Sequence, residues 1–308
     1  KSFRSQIMSQ INLKQDLSFI TKGLELQASF SFDSNNETIQ NRRKYSSTYS
    51  ITGIDDNTGD FQVAEIVKGS ESLGYGSSSY NNRAEELKVQ LNYNRIFNDI
   101  HRVGAMAMYY QRDFVDQTAS SANKSLPYKK QGLAFRATYS FKDRYFIEGN
   151  LGYNGSENFP KGKRFGVFPA GALGYLISEE SFWRCKPINF LKIRGSVGLV
   201  GSESLPDGMR FGYLSFYGGG LGGYHFGMTP TYNEGIGEDQ VGVSDLTWEK
   251  GFKKNIGIEL KMFDNMISLD ADYFHERRSD ILIQRQSVPA TVGMIKQPFA
   301  NKIGRAHV

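Results

Sequence analysis

The stretch Tyr145-Phe146-Ile147-Glu148-Gly149-Asn150-Leu151-Gly152-Tyr153-Asn154 decides the fold. Tyr145, Ile147, Gly149, Leu151 and Tyr153 fall on one parity, and Glu148, Asn150 and Asn154 on the other. Successive side chains of an extended chain point to opposite faces, so this is a β-strand with one apolar and one polar face. The run lasts about ten residues, the length of a membrane-spanning strand, whereas an average globular strand has about 5–6. Its two tyrosines sit near its ends. At ~3.3 Å per residue they are roughly 26 Å apart, a spacing that suits two interfacial aromatic girdles flanking an apolar band.

The same alternation recurs along the chain. Leu24, Leu26, Ala28, Phe30 and Phe32 oppose Glu25, Gln27, Ser29 and Ser31. Leu87, Val89, Leu91 and Tyr93 oppose Lys88, Gln90, Asn92 and Asn94, and Leu133, Phe135, Ala137, Tyr139 and Phe141 oppose Arg136, Thr138 and Ser140. Further runs begin at Leu191, Ile256 and Ile267. The connections alternate in length. Tight turns at 97–101, 142–144 and 263–266 interleave with long polar stretches at 33–44, 113–129, 154–164 and 201–245. Short periplasmic turns and long extracellular loops produce that asymmetry. Within it, 45–67 reads as an extracellular hairpin turning at 56–59, and 178–189 as a longer periplasmic turn with room for a short helix.

The expected fold is therefore all-β: a partial, antiparallel transmembrane β-barrel with about ten spanning strands. A soluble β-sandwich, as in an adhesin or a carbohydrate-binding module, alternates too. Strand length and loop asymmetry speak against it.

Composition agrees. The 308 residues include 17 Tyr, 22 Phe and 33 Gly, with 39% hydrophobic residues. Disordered chains are poor in aromatics, which excludes that class. Mean hydropathy is negative and no run of eighteen apolar residues occurs, so no transmembrane helix is expected. A barrel strand shows lipid only every second residue and averages to the same soluble-looking value. The opening segment lacks the apolar core of a signal peptide, so a mature or internal piece is expected. The net charge of +5 is spread over the whole chain, which gives nucleic-acid binding no support.

At this point particular blocks stand out. RYFIEGNLGYNGSENFPKGKRFGVFPAGALGYLISEESFW (Arg144 to Trp183) resembles a stretch of the SusC/RagA-like TonB-linked outer-membrane proteins. LKIRGSVGLVGSE (from Leu191), LTWEKGFKKNIGIELKMFDNMISLDADYFHERRSDILI (from Leu246) and SVPATVG (from Ser287) resemble later strands of that family, in the right order. The first part of the chain matches more loosely. The resemblance implies a barrel of about 22 strands filled by an N-terminal plug. It also implies a SusD-like surface lipoprotein acting as a lid, and energy from the TonB complex through a short N-terminal motif. The expected function is part of an active importer of a large nutrient, an oligosaccharide or peptide, in the cell outer membrane of a Gram-negative bacterium. The rival within the same architecture is a siderophore or vitamin receptor.

No enzyme chemistry is expected, and no cofactor. His101, His225, His275 and His307 are isolated in sequence, and Cys185 stands alone, so no metal-ligand spacing occurs. The acidic run from Asp55 to Asp60 lacks EF-hand spacing and reads as a hairpin turn. The glycine run from Gly218 to Gly223 lacks the lysine and the strand-to-helix context of a phosphate loop, and reads as a mobile loop. The polar parities read as a hydrated lumen wall; Arg136, Glu148 and Arg194 are its candidates for touching cargo or plug. In the longest loop, Tyr217, Tyr224, Phe226 and Tyr232 are the candidate substrate contacts, because aromatic rings stack on sugars and peptide side chains. Residues 1–302 are expected to be barrel. The terminal Ile303-Gly304-Arg305-Ala306-His307-Val308 reverse-translates to a common sequencing adapter and is expected to be non-native.

Overall fold

The computed structural model describes the chain except for residues 55–57, 207–208, 220–221, 286, 293–296 and 303–308. The elements are β1 (Ser2–Asp16), β2 (Leu24–Arg43), β3 (Thr48–Ile54), β4 (Phe61–Val67), β5 (Gly74–Phe97), β6 (His101–Asp116), the short helix α1 (Ala122–Ser125), β7 (Tyr128–Phe141), β8 (Tyr145–Ser156), β9 (Phe165–Leu176) and β10 (Ile188–Ser202). They continue with β11 (Phe216–Gly218), β12 (Gly223–Phe226), β13 (Thr231–Glu234), β14 (Gly237–Gln240), β15 (Glu249–Met262), β16 (Ile267–Ser279), β17 (Ile281–Gln284) and β18 (Phe299–Lys302). Ten strands form one sheet in the order β1-β2-β5-β6-β7-β8-β9-β10-β15-β16. Each pairs with its neighbour in sequence once the small hairpins are set aside, which is the meander expected of an up-and-down barrel wall.

Two compact units make up the chain. One comprises Lys1–Ser9, Phe32–Ala84 and Phe114–Pro127. Here the expected polar loop at 33–44 is instead strand, since β2 runs on to Arg43. Asp33, Ser34, Asn35, Asn36 and Glu37 leave both parities polar, so no alternation marks the strand. Ladder bonds to β1 and β5 sustain it, with Ser2 donating to Glu37 at 2.8 Å and Asn35 to Asn82 at 3.1 Å. β3 and β4 form the expected hairpin, although part of its turn lies outside the described residues.

The other unit comprises Gln10–Ser31, Glu85–Asp113 and Tyr128–Val308. Its register aligns the apolar parities of successive strands. Tyr139 faces Ile147, which faces Leu173, then Gly195, Ile256 and Tyr273. Ile147 is 53% exposed, Leu173 64% and Ile256 63%, while Ser140 on the opposite face is 5% exposed. A continuous apolar sheet face left uncovered marks a surface made for lipid or a partner rather than for water. Ring pairs close both ends of the face: Tyr145 stacks on Tyr175 at 4.9 Å and Tyr153 on Phe165 at 5.0 Å.

The tight turns fall where alternation breaks. Asn98 and Asp99, Lys142 and Asp143, and Asp264 and Asn265 all adopt positive φ. Paired positive-φ residues match the right-handed twist of the flanking strands, and Asn and Asp tolerate that conformation best. A single 3-10 turn, Ile177–Glu179, occupies the longer connection between β9 and β10.

The apolar core sits at the long-loop end. Phe159, Phe168, Val243, Leu246 and Trp248 are all buried, with Leu199, Leu205, Tyr213, Leu282 and Phe299 packed around them. Phe168 lies on the parity of Ala170 and Ala172, opposite exposed Val167. The face read as hydrated wall is therefore dry at this level, because loop residues fold onto it. Gly166 and Gly201 allow this: a Cβ on either would stand 2.4 or 2.0 Å from the Phe168 ring.

Candidate functional site

The polar face carries a lattice of paired charges. Arg136 of β7 donates to Glu148 of β8 at 2.8 Å, and Asn150 donates to the other carboxylate oxygen at 2.8 Å. Arg194 of β10 donates from Nη2 to Asp272 of β16 at 2.7 Å. Its Nε lies 2.9 Å from Glu259, an ion-pair distance without hydrogen-bond alignment. Lys192 sits 3.8 Å from the same carboxylate and 5.5 Å from the Phe146 ring centre. A groove of about 440 Å³ runs beside these groups, lined by Thr138, Glu148, Lys192 and Arg194 among others. Half-exposed pairs contribute little stability each. What they make is a water-compatible surface whose charges are matched and fixed in place.

The long-loop end is held differently. Arg210 is 4% exposed, with its guanidinium 3.8 Å above the Tyr128 ring and 4.6 Å from that of Phe211. It is ion-paired with Glu157, whose carboxylate also accepts from the Lys129 amide at 3.3 Å. Trp248 Nε1 donates to the Arg164 carbonyl at 3.3 Å and Lys163 Nζ to that of Asp245 at 2.9 Å. The Gln240 amide donates to the Leu214 carbonyl at 2.9 Å. These bonds hold the longest loop to the 157–164 loop and to the start of β7, and Gln240 closes the loop on itself. Sequence reasoning missed Arg210 and Glu157, whose loops are distant in sequence. Trp248 and Leu246, an apolar pair just before β15, were the one legible signal.

The four aromatic candidates are not gathered into one site. Tyr224 and Phe226 share a face of β12, their rings edge-to-face at 5.2 Å. Tyr232 of β13 pairs with His225 and so lies on the other face, its ring 5.2 Å from the imidazole. Tyr217 sits apart on β11, donating to Glu238 at 3.2 Å. All four are exposed. The glycine run expected as a mobile loop contributes Gly218 to β11 and Gly223 to β12, while Gly220 and Leu221 lie outside the described residues. Asp55, Asp56, Asn57 and His307 also lie outside them.

Among the described residues no cluster of ligating side chains could hold a metal ion. No helix among them is long and apolar enough to cross a membrane, which says nothing of crossing by strands.

Residues 4–308 match the family model described as the β-barrel of TonB-dependent receptor-like proteins. The chain belongs to this family. TonB-dependent receptors are β-barrel transport proteins of the outer membrane, and this one is of the SusC-like type. It is 26% identical over 219 residues to TonB-dependent receptor P39 of Formosa agariphila, covering 62% of this chain and 20% of that protein. It is 30% identical over 168 residues to TonB-dependent receptor SusC of Bacteroides thetaiotaomicron, covering 51% of this chain and 15% of that protein. The fold matches the RagAB peptide transporter with a TM-score of 0.68 and 17% identity, over 97% of this chain and 33% of that one. The chain thus spans a fifth or less of these curated relatives and a third of the solved structure.

Proposed function

We propose that this chain forms barrel wall and mouth of an outer-membrane, TonB-dependent importer of a large nutrient, an oligosaccharide or peptide, working with a SusD-like lipoprotein. The observation that carries the reading is the pairing of two opposite faces on one sheet. The uncovered apolar parity through Ile147, Leu173 and Ile256 suits hydrocarbon, while the parity of Glu148, Arg194 and Asp272 carries matched charges suited to a wet interior. The SusC-type blocks from Arg144 to Trp183, with 30% identity to SusC, support the nutrient class. In this reading residues 1–302 are barrel and 303–308 adapter-derived, which the nucleotide record tests directly.

The test uses the full-length protein in its native host. Deleting its gene is expected to abolish growth on one class of oligosaccharide or peptide, and a surface lipoprotein is expected to co-purify with it. Loss of growth on ferric chelates alone would support the siderophore rival instead. Recovery of the protein from the soluble fraction would refute the barrel.

A further inference from the structure

A row of rings lines the outward face where β6 to β9 meet their short turns. His101 lies 5.2 Å from Phe141 and shares a 2.8 Å hydrogen bond with the Tyr139 hydroxyl. Phe141 lies 6.2 Å from Tyr145, which stacks on Tyr175. Phe141 and Tyr145 are direct cross-strand partners on the parity of exposed Ile147, so the row belongs to the uncovered apolar face. Two cations rest on this face beside it. Lys142 Nζ stands 5.4 Å from the centre of the Phe141 ring, and the Arg95 guanidinium 4.7 Å from that of Phe97.

Among the described residues neither cation pairs with a carboxylate, and the nearby acids Asp143 and Glu180 are engaged elsewhere. Asp143 is turned to the opposite face, taken by Arg102 at 3.1 Å and by Ser140 at 2.8 Å. Glu180 accepts from Tyr145 at 2.7 Å and pairs with Arg144 at 3.4 Å. Asp99 lies in the turn between β5 and β6. Lysine and arginine stems lie along apolar surface while their charged heads reach for the polar boundary. On rings at the edge of an apolar band, those heads arrive at the depth where lipid phosphates lie.

We propose that Arg95 and Lys142, with His101 between their strands, hold the phosphate of an anionic glycerophospholipid against this edge of the barrel. The ring row packs the upper acyl chain, and the two cations make charge-assisted hydrogen bonds to the phosphate oxygens. The site rests on the barrel lying in a membrane and is independent of what the barrel imports.

The test places full-length protein in bilayers of phosphatidylcholine with a minor share of phosphatidylglycerol. Lipids retained after gentle detergent extraction are then counted by native mass spectrometry. Wild type is expected to retain phosphatidylglycerol selectively, and the double variant Arg95→Gln/Lys142→Gln to lose roughly tenfold or more in retention, as removal of two interfacial cations requires. The charge-preserving Arg95→Lys/Lys142→Arg variant is expected to retain it, which separates the site from a general folding defect. Lys254→Gln is expected to change nothing, since Lys254 makes a similar 5.3 Å contact with Phe252 farther from this edge. Equal retention by wild type and the double glutamine variant would overturn the proposal, as would equal loss in Lys254→Gln. Displacement of the lipid by inorganic phosphate at constant ionic strength would reassign the site to the free ion. A failed importer reading would show as unaltered growth with selective retention intact.

Discussion

Arg194 and Asp272 meet at 2.7 Å although a whole strand, β15, lies between theirs. The residue between them in register is Gly257. A Cβ there would stand 2.4 Å from Asp272 Oδ1 and 2.9 Å from Arg194 Cζ, so the ion pair spans the strand only because the position has no side chain.

Gly257→Val is therefore expected to displace the pair and to cost the full-length barrel about 1–3 kcal/mol, the range for overpacking a filled site. Gly149→Ala, where an added Cβ meets nothing within 4 Å, serves as control. Urea unfolding of both variants in lipid bilayers checks this; equal losses would refute it.

Leu151 lies on the uncovered face at mid-strand, opposite Phe135 and Pro169. Leu151→Arg is expected to destabilise membrane assembly by about 2–4 kcal/mol, as a charge facing lipid near the bilayer midplane does. Asn150→Arg, one residue earlier and facing the wet side, is expected to be tolerated. Heat-modifiable gel migration of the full-length protein reads both.

At the mouth, Glu157→Gln removes the carboxylate beside buried Arg210. The expected cost is about 1–3 kcal/mol, the range for removing one charged partner from a buried polar group. Rapid proteolysis within 203–248, with the barrel intact, is the expected signature. Arg210→Met should be milder, since it removes the charge together with the need to pair it. Glu157→Gln cleaved no faster than wild type would contradict the clamp.

The turn aspartate gives a pH dependence. Hydrogen bonds from Arg102, and then from Ser140, hold the Asp143 carboxyl below the ordinary aspartate value of 3.8. A lowered folded value means the turn's stabilisation is fully present above pH 3.8 and fades as pH falls below it, through the folded value. Hydrogen exchange at the 142–144 turn should thus differ between wild type and Asp143→Asn by a constant factor at neutral and mildly acidic pH. The two should converge only in stronger acid. Convergence already at neutral pH would show that the pairing contributes nothing.

The strands from Leu24, Leu133, Tyr145, Leu191, Ile256 and Ile267 were legible because one face of each must be apolar and the other polar. Their turns were legible because Asn98, Asp99, Asp143 and Asp264 supply the positive φ that a tight connection needs. The family blocks were legible for the same reason, being strands and turns in fixed order. The second half of β2 was not. Both of its parities carry polar residues, and the neighbouring strands' hydrogen bonds keep 33–43 extended.

Alternation thus fixes which residues share a face, since that follows from local geometry alone, and by itself it determined the wall of this protein. It cannot say what lies against a face. That Phe168, on the parity of the wet wall, is instead covered by Leu246 and Trp248 depends on a loop returning from far along the chain. So does the burial of Arg210 against Glu157 and Tyr128. The separation of Tyr232 from Tyr224 and Phe226 follows from a hairpin register no pattern specifies. These were decided by the tertiary structure, because contacts between distant segments depend on shape and volume, which a one-dimensional pattern does not carry.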